Sequence, residues 1–175
     1  MCTAGTCAPQ PATISFDDVV GGLSTYSVDV SGDGDPDIVF STSNPSGFGT
    51  VPNVLEGGIL SGDWEVIVQF LGGATSSLAF DFGVTSEHAN QPEAYIFVPH
   101  PTAPFRWVTE QVQVNGAPAY GSLSITLSDS AGPFTADTAY IQFYSGGGNR
   151  FIMDNFTGTF GAATSAENGP PTPIP

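Results

Sequence analysis

Apolar and polar residues alternate with a period of two along many short stretches of this chain. In "WEVIVQF", Trp64, Val66, Val68 and Phe70 fall on one side and Glu65, Ile67 and Gln69 on the other. In "SLSITLS", Leu123, Ile125 and Leu127 alternate with serines and a threonine. This is the pattern of antiparallel strands with one face on a core and one in solvent. Further runs rich in β-branched and aromatic residues are "ATISFDDV", "STYSVDV", "PDIVFST", "SLAFDFGV", "EAYIFVP", "RWVTEQVQV", "AYIQFYS" and "RFIMDNFTGTF". Turn signals such as "LGGAT", "VNGAP" and "SGGGN" fall between them. No segment carries a sustained helical period with caps. The pattern predicts an all-β fold, a two-sheet antiparallel β-sandwich of jelly-roll type with little helix.

The chain divides into three parts. Residues 1–12 read as a flexible segment, 13–160 as the sandwich, and 161–175, "GAATSAENGPPTPIP", as a Pro-rich disordered linker. The whole chain, 175 residues, suits one domain that buries about two thirds of its surface. Cys2 and Cys7 are its only cysteines, spaced for a small disulfide loop in an oxidising compartment; the alternative is two free thiols in a mobile tail.

Charge narrows the partners. There is no lysine; Arg106 and Arg150 stand against 17 acidic residues, for a net charge of −15. Nothing here could neutralise nucleic-acid phosphates or an anionic membrane surface. No apolar run approaches the roughly 20 residues that span a bilayer. Only 11 % of residues are charged, while Gly, Ser, Thr and Pro abound. That profile points to a secreted, extracellular protein.

Within "DVSGDGDPDIVF", residues 29–40, oxygen-bearing side chains recur at every second position: Asp29, Ser31, Asp33, Asp35 and Asp37. Gly32 and Gly34 let the loop curl between them. Alternate oxygens on a curled loop suit Ca²⁺, which takes six to eight hard oxygen ligands. Position 12 of the pattern is Phe40 where an EF-hand needs a bidentate Glu, and a strand follows. The half-pattern resembles the calcium loops of FG-GAP propeller blades, which recur within a chain, whereas this one occurs once. The alternatives are a hydrated Asp/Gly turn and a catalytic acid cluster. Equivalent carboxylates on one tight loop are ill-suited to opposite acid and base roles.

A second acidic pairing joins Asp17 and Asp18 in "SFDD" to Asp154 in "FIMDNFTGTF". At those two places the chain resembles jelly-roll carbohydrate-binding modules, in which a structural Ca²⁺ bridges the terminal strands. The resemblance implies a second, weaker calcium site at Asp17, Asp18 and Asp154; otherwise these are outward strand carboxylates. "GDGDPDIVFSTSNPSGFGT", "PNVLEGG" and "NRFIMDNFTGTF" resemble segments of secreted bacterial PEP-CTERM (exosortase-sorted) proteins, over roughly residues 14–160. The resemblance rests on the domain and not on a sorting tag. That resemblance implies a cell-surface or extracellular-matrix protein and no enzyme activity.

Other chemistry is sparse. His88 and His100 are isolated loop histidines, and no nucleophile motif or phosphate loop is present. Glu65, Glu93 and Glu110 are the acids a glycosidase would need across a cleft, without a pattern that joins them. "NFT" at Asn155 has the form of a glycosylation sequon but falls within a strand run. Trp64, Tyr95, Phe105, Trp107, Tyr120 and Tyr144 could supply a flat platform for sugar rings. Trp64 belongs to the core by its alternation. Trp107 beside Arg106, after the loop "PHPTAP", is the surface candidate for ligand binding. Two functions follow. One is a non-enzymatic calcium-binding structural or adhesive protein, self-assembling through strand edges with residues 3–12 as a donated strand. The alternative is a carbohydrate-binding module that recognises extracellular polysaccharide.

Overall fold

The computed structural model describes residues 8–19, 24–42, 49–50, 60–63, 65–84, 93–103, 105–114, 119–144 and 150–162. Cys2, Cys7, Trp64, His88 and the Pro-rich end lie outside them. The strands are β1 (Gln10–Ile14), β2 (Thr25–Val28), β3 (Ile38–Ser41), β4 (Gly49–Thr50), β5 (Leu60–Asp63), β6 (Glu65–Val84) and β7 (Glu93–Pro99). They continue with β8 (Trp107–Gln113), β9 (Ala119–Thr126), β10 (Ser128–Asp129), β11 (Gly132–Pro133), β12 (Ala136–Tyr144) and β13 (Arg150–Phe160). All pairings are antiparallel, and no helix occurs among the described residues.

Strand β6 organises the molecule. Its first part, up to Phe70, lies between β3 and β12. Its last part, from Ala74, lies between β9 and β13. The front sheet therefore runs β2-β3-β6-β12-β7-β8, and the back sheet sets β9, β6 and β13 beside β1 and the short β5-β4 pair. "LGGAT", which reads as a turn in the sequence, is instead the corner where one strand passes between sheets. Gly73 takes a left-handed φ of 81°. A Cβ on Gly72 would lie 2.0 Å from the Gly161 carbonyl oxygen, so only glycine lets the two backbones cross there. The Gly161 amide donates to the Gly73 carbonyl at 2.9 Å, which ties down the first residue of the C-terminal segment.

Alternation fills the space between the sheets. Ile38, Phe40, Val66, Val68, Ile96, Val98, Ile141 and Phe143 point inward from the front. Leu78, Phe80, Phe82, Leu123, Met153, Phe156 and Phe160 point inward from the back. Aromatic rings meet across the interface: Phe40 and Phe156 edge to face at 5.2 Å, Phe143 and Phe151 stacked at 4.2 Å. Such pairs add about 0.5–1.5 kcal/mol beyond their buried area.

At the N-terminus, Gln10, Pro11 and Ala12 pair with Phe160, Thr159 and Gly158 of the same chain. They belong to the sandwich, three residues ahead of the start read from the sequence. A strand donated to a neighbour from this segment would first have to leave its own sheet. No helix among the described residues is long and apolar enough to cross a membrane.

Candidate functional site: the outer face of the front sheet

The residues that alternate away from the core on the front sheet form an aromatic field. Pairing sets Phe97 opposite Tyr140 on β12 and opposite Thr109 on β8, and sets Pro99 opposite Trp107. Ring centroids lie 5.7 Å apart for Phe97 and Trp107, and 5.9 Å for Phe97 and Tyr140. Further along the same strands, Tyr95 and Tyr144 meet edge to face at 5.4 Å. Trp107 is 52 % exposed and the other four are partly exposed, so rings of three adjacent strands share one surface.

Hydrogen-bonding groups border the rings. Glu93 accepts bonds from the Tyr95 hydroxyl, from Gln111 Nε2 at 3.1 Å and from Gln113 Nε2. The Tyr95 phenol is pushed up to about 12, first by that bond to Glu93 and then by burial, so it stays a neutral donor. Gln142 Nε2 donates to Glu65 at 2.8 Å, and the Tyr144 hydroxyl donates to Gln142 Oε1 at 3.3 Å. Flat apolar ring faces with oriented amides and carboxylates beside them match the two chemistries of a sugar residue: C–H faces and hydroxyl edges.

Glu65 and Glu93 share this face with β12 between them, each bound to side chains that it orients. Glu110 alternates to the other side of β8 from Trp107. The three acids do not converge on a common cleft.

Arg106 and Trp107 part company. Arg106 Nη2 meets Asp129 Oδ2 at 2.8 Å and donates to Ser130 Oγ at 3.1 Å. Its backbone closes the loop through His100 N to Arg106 O, 2.9 Å, and Arg106 N to Ala103 O, 3.0 Å. His100 packs on Phe134 at 4.8 Å. This arginine fixes the β7–β8 loop to the β10–β11 hairpin, and the loop presents Phe105, 90 % exposed at φ 73°, beside Trp107. Tyr120 lies on the back sheet, apart from the other aromatics. Phe97 and Tyr140 complete the field without standing out in the sequence. Their signal is parity: they occupy the outward positions of "EAYIFVP" and "AYIQFYS".

The acid-rich loop is bound up with its own backbone. Asp29 Oδ1 accepts from Gly32 N at 2.6 Å, and Oδ2 from Gly34 N at 2.8 Å; these bonds, Gly34 first, hold its carboxyl below the ordinary 3.8. Asp37 is buried, and its Oδ2 accepts from Val30 N at 2.9 Å and Ser31 N at 2.7 Å. Asp35 N donates to Asp33 Oδ1 at 3.0 Å. At the chain ends, Asp17 takes a bond from Ser15 Oγ at 2.7 Å and Asp18 one from the Tyr26 hydroxyl. Asp17 and Asp18 lie in the turn after β1 and not in the strand itself. Burial raises Asp154, and the charges of Asp17 and Asp81 raise it further. Among the described residues no group of three or more His, Cys, Asp or Glu is placed to hold a metal ion.

No protein-family model matches the chain, and no curated protein matches it in sequence. Solved structures do match in fold. A carbohydrate-binding module specific for non-crystalline cellulose superposes with a TM-score of 0.50 at 14 % identity, over 86 % of this chain and 96 % of that one. The K2 cleaved adhesin domain of Lys-gingipain gives 0.49 at 13 %, over 86 % and 99 %. A family 11 carbohydrate-binding module from Clostridium thermocellum, in complex with a mixed-linked tetrasaccharide, gives 0.47 at 13 %, over 91 % and 99 %. At such identities the likeness concerns fold alone: the chain is an antiparallel β-sandwich of the kind carbohydrate-binding modules adopt.

Proposed function

We propose that this protein is a non-enzymatic carbohydrate-binding domain that lays a polysaccharide chain along the outer face of its front sheet. The observation that carries the proposal is the aromatic field of Trp107, Phe97, Tyr140, Tyr95 and Tyr144, bordered by Glu93, Gln111 and Gln142. A protein with no use for that face would expose polar side chains there, as most half-solvated sheets do. The lysine-free, hydroxyl-rich composition supports an extracellular setting, as does the resemblance to PEP-CTERM proteins.

Titration calorimetry with cellohexaose, mannohexaose, xylohexaose and mixed-linkage β-glucan tests the reading. Saturable binding that quenches Trp fluorescence is expected with at least one, and heats no larger than dilution with all four overturn it. The matrix-polymer reading ranks second. It predicts growth of scattering mass with protein concentration alone.

Calcium at Asp29, Ser31, Asp33, Asp35 and Asp37 is a separate proposal, supported by the alternate oxygens of the loop. An ion that binds only the folded chain adds about 2.7 kcal/mol at a hundred times its Kd. Melting should then shift upward with CaCl₂ and return with chelator. Superimposable melts would leave the loop held by its backbone hydrogen bonds alone.

A further inference from the structure

The back sheet carries one exposed aromatic side chain among its described residues, and its seat is specific. Tyr120, 50 % exposed, pairs across from Gly83, which in turn pairs with Ile152. A Cβ on Gly83 would fall 2.8 Å from two atoms of the Tyr120 ring and 2.9 Å from Ile152 Cγ1. The ring therefore rests on bare backbone with Ile152 against it. Ile152 is only 5 % exposed although it faces outward and stands apart from the core cluster.

The next row on this face, about 6.8 Å along the strands, is polar: Asp154, Asp81 and Ser122 pair in line. Asp81 accepts from Ser122 Oγ at 2.5 Å and from Asn155 Nδ2 at 3.0 Å. Asn155 reaches it because the ladder shifts register between Asp154 and Thr157, and because its backbone takes φ 50°. Bulges of this kind re-aim side chains beside functional sites. The Asn155 amide still has one N–H and its carbonyl oxygen to offer.

We infer that Tyr120, with Asp81, Ser122 and Asn155 beside it, is a second saccharide site that takes one uncharged sugar residue. A lone ring with hydroxyl, amide and carboxylate neighbours is far too small for a protein interface of about 800 Å² per partner. The net charge of −15 disfavours uronate or sulfated chains. The site faces away from the front sheet, so one glycan chain does not lie on both. With the front-face site, on which this part rests, the domain joins two polysaccharide chains.

Backbone amide NMR with cellohexaose and mannohexaose separates the sites. Two distinct sets of shifts are expected, around Phe97, Trp107 and Tyr140, and around Gly83, Tyr120 and Ser122. Tyr120→Ala should weaken the second set about tenfold, as loss of an aromatic anchor does, and leave the first unchanged. Tyr120→Phe keeps the ring on Gly83 and should bind. Asn155→Gly keeps the left-handed backbone and should cost about threefold, the scale of one hydrogen bond. Wild-type protein should cloud a mixed-linkage β-glucan solution near equivalence, whereas Tyr120→Ala and Trp107→Ala should not. Shifts at the front alone overturn the second site and spare the proposed function. Shifts at the back alone overturn the front-face reading and the joining of chains. Shifts at neither overturn both.

Discussion

The two outer faces of the sandwich are made from the same kind of strand and differ in nearly everything they display. The front presents two groups of touching rings, Trp107, Phe97 and Tyr140 in one and Tyr95 and Tyr144 in the other. The back presents Tyr120 beside a lawn of Ser122, Ser124, Thr157 and Asp81. Inward positions on both sheets answer to packing, which accepts almost any well-fitting hydrophobe. Outward positions are free of that demand, so a row of rings there is informative about binding in a way that a buried phenylalanine is not.

The comparison breaks most sharply at the front. Trp107→Ala combined with Tyr140→Ala should abolish measurable glycan binding, a loss on the order of a hundredfold or more when two anchors go. Circular dichroism and melting should stay close to the parent, because both rings lie outside the core. If calorimetry instead finds the double variant binding like the parent, the aromatic field is not the site.

Stability, rather than front-face affinity, should respond to Gly83→Val. The new side chain drives Tyr120 and Ile152 apart, and overpacking of this sort costs about 1–3 kcal/mol. Urea denaturation reads the loss directly, and calorimetry on the front site should be unaffected at temperatures where the variant is folded. An unchanged midpoint would mean that Tyr120 moves aside without resistance.

The smallest effect belongs to Asp154. Its pKa is raised above 3.8 by burial first, then by Asp17 and Asp81, so the folded chain holds that proton more tightly than the unfolded one. Ionised Asp154 therefore costs stability above its folded pKa, and the cost fades as pH falls through that value toward 3.8. Asp29 runs the other way. Its lowered pKa contributes stability above 3.8 that is lost as pH drops through the folded value. Asp154→Asn, which keeps an acceptor for the Asn155 amide, should be slightly more stable than the parent at pH 7. That advantage should vanish by pH 3. A variant less stable at pH 7 would mean that a cation, as in the weaker calcium proposal, compensates the carboxylate.

Much of the sandwich was legible in the chain because strand periodicity is local. "EVIVQFL", "EAYIFVP" and "AYIQFY" announce their buried faces by alternation alone, and the structure places strands there. Very short pieces without alternation, such as Gly49–Thr50 and Gly132–Pro133, announce nothing, and the break that sets Ser128–Asp129 apart from the strand before it is equally silent. Within the acidic loop, the spacing of Asp29 to Asp37 could be seen, but not that Asp37 turns inward to cap the Val30 and Ser31 amides.

What the sequence determined by itself is most of the strand content, the strongly negative net charge and, by parity, which positions along each alternating strand turn away from the core. Tertiary structure alone decided that "LGGAT" is a corner inside one strand, since that depends on Gly72 crossing Gly161 from the far end of the chain. It also decided that Arg106 serves Asp129 and leaves Trp107 to the surface. The aromatic field came from the same source: Phe97, Trp107 and Tyr140 sit on three strands, and only cross-strand register, fixed by hydrogen bonds between distant segments, brings their rings together.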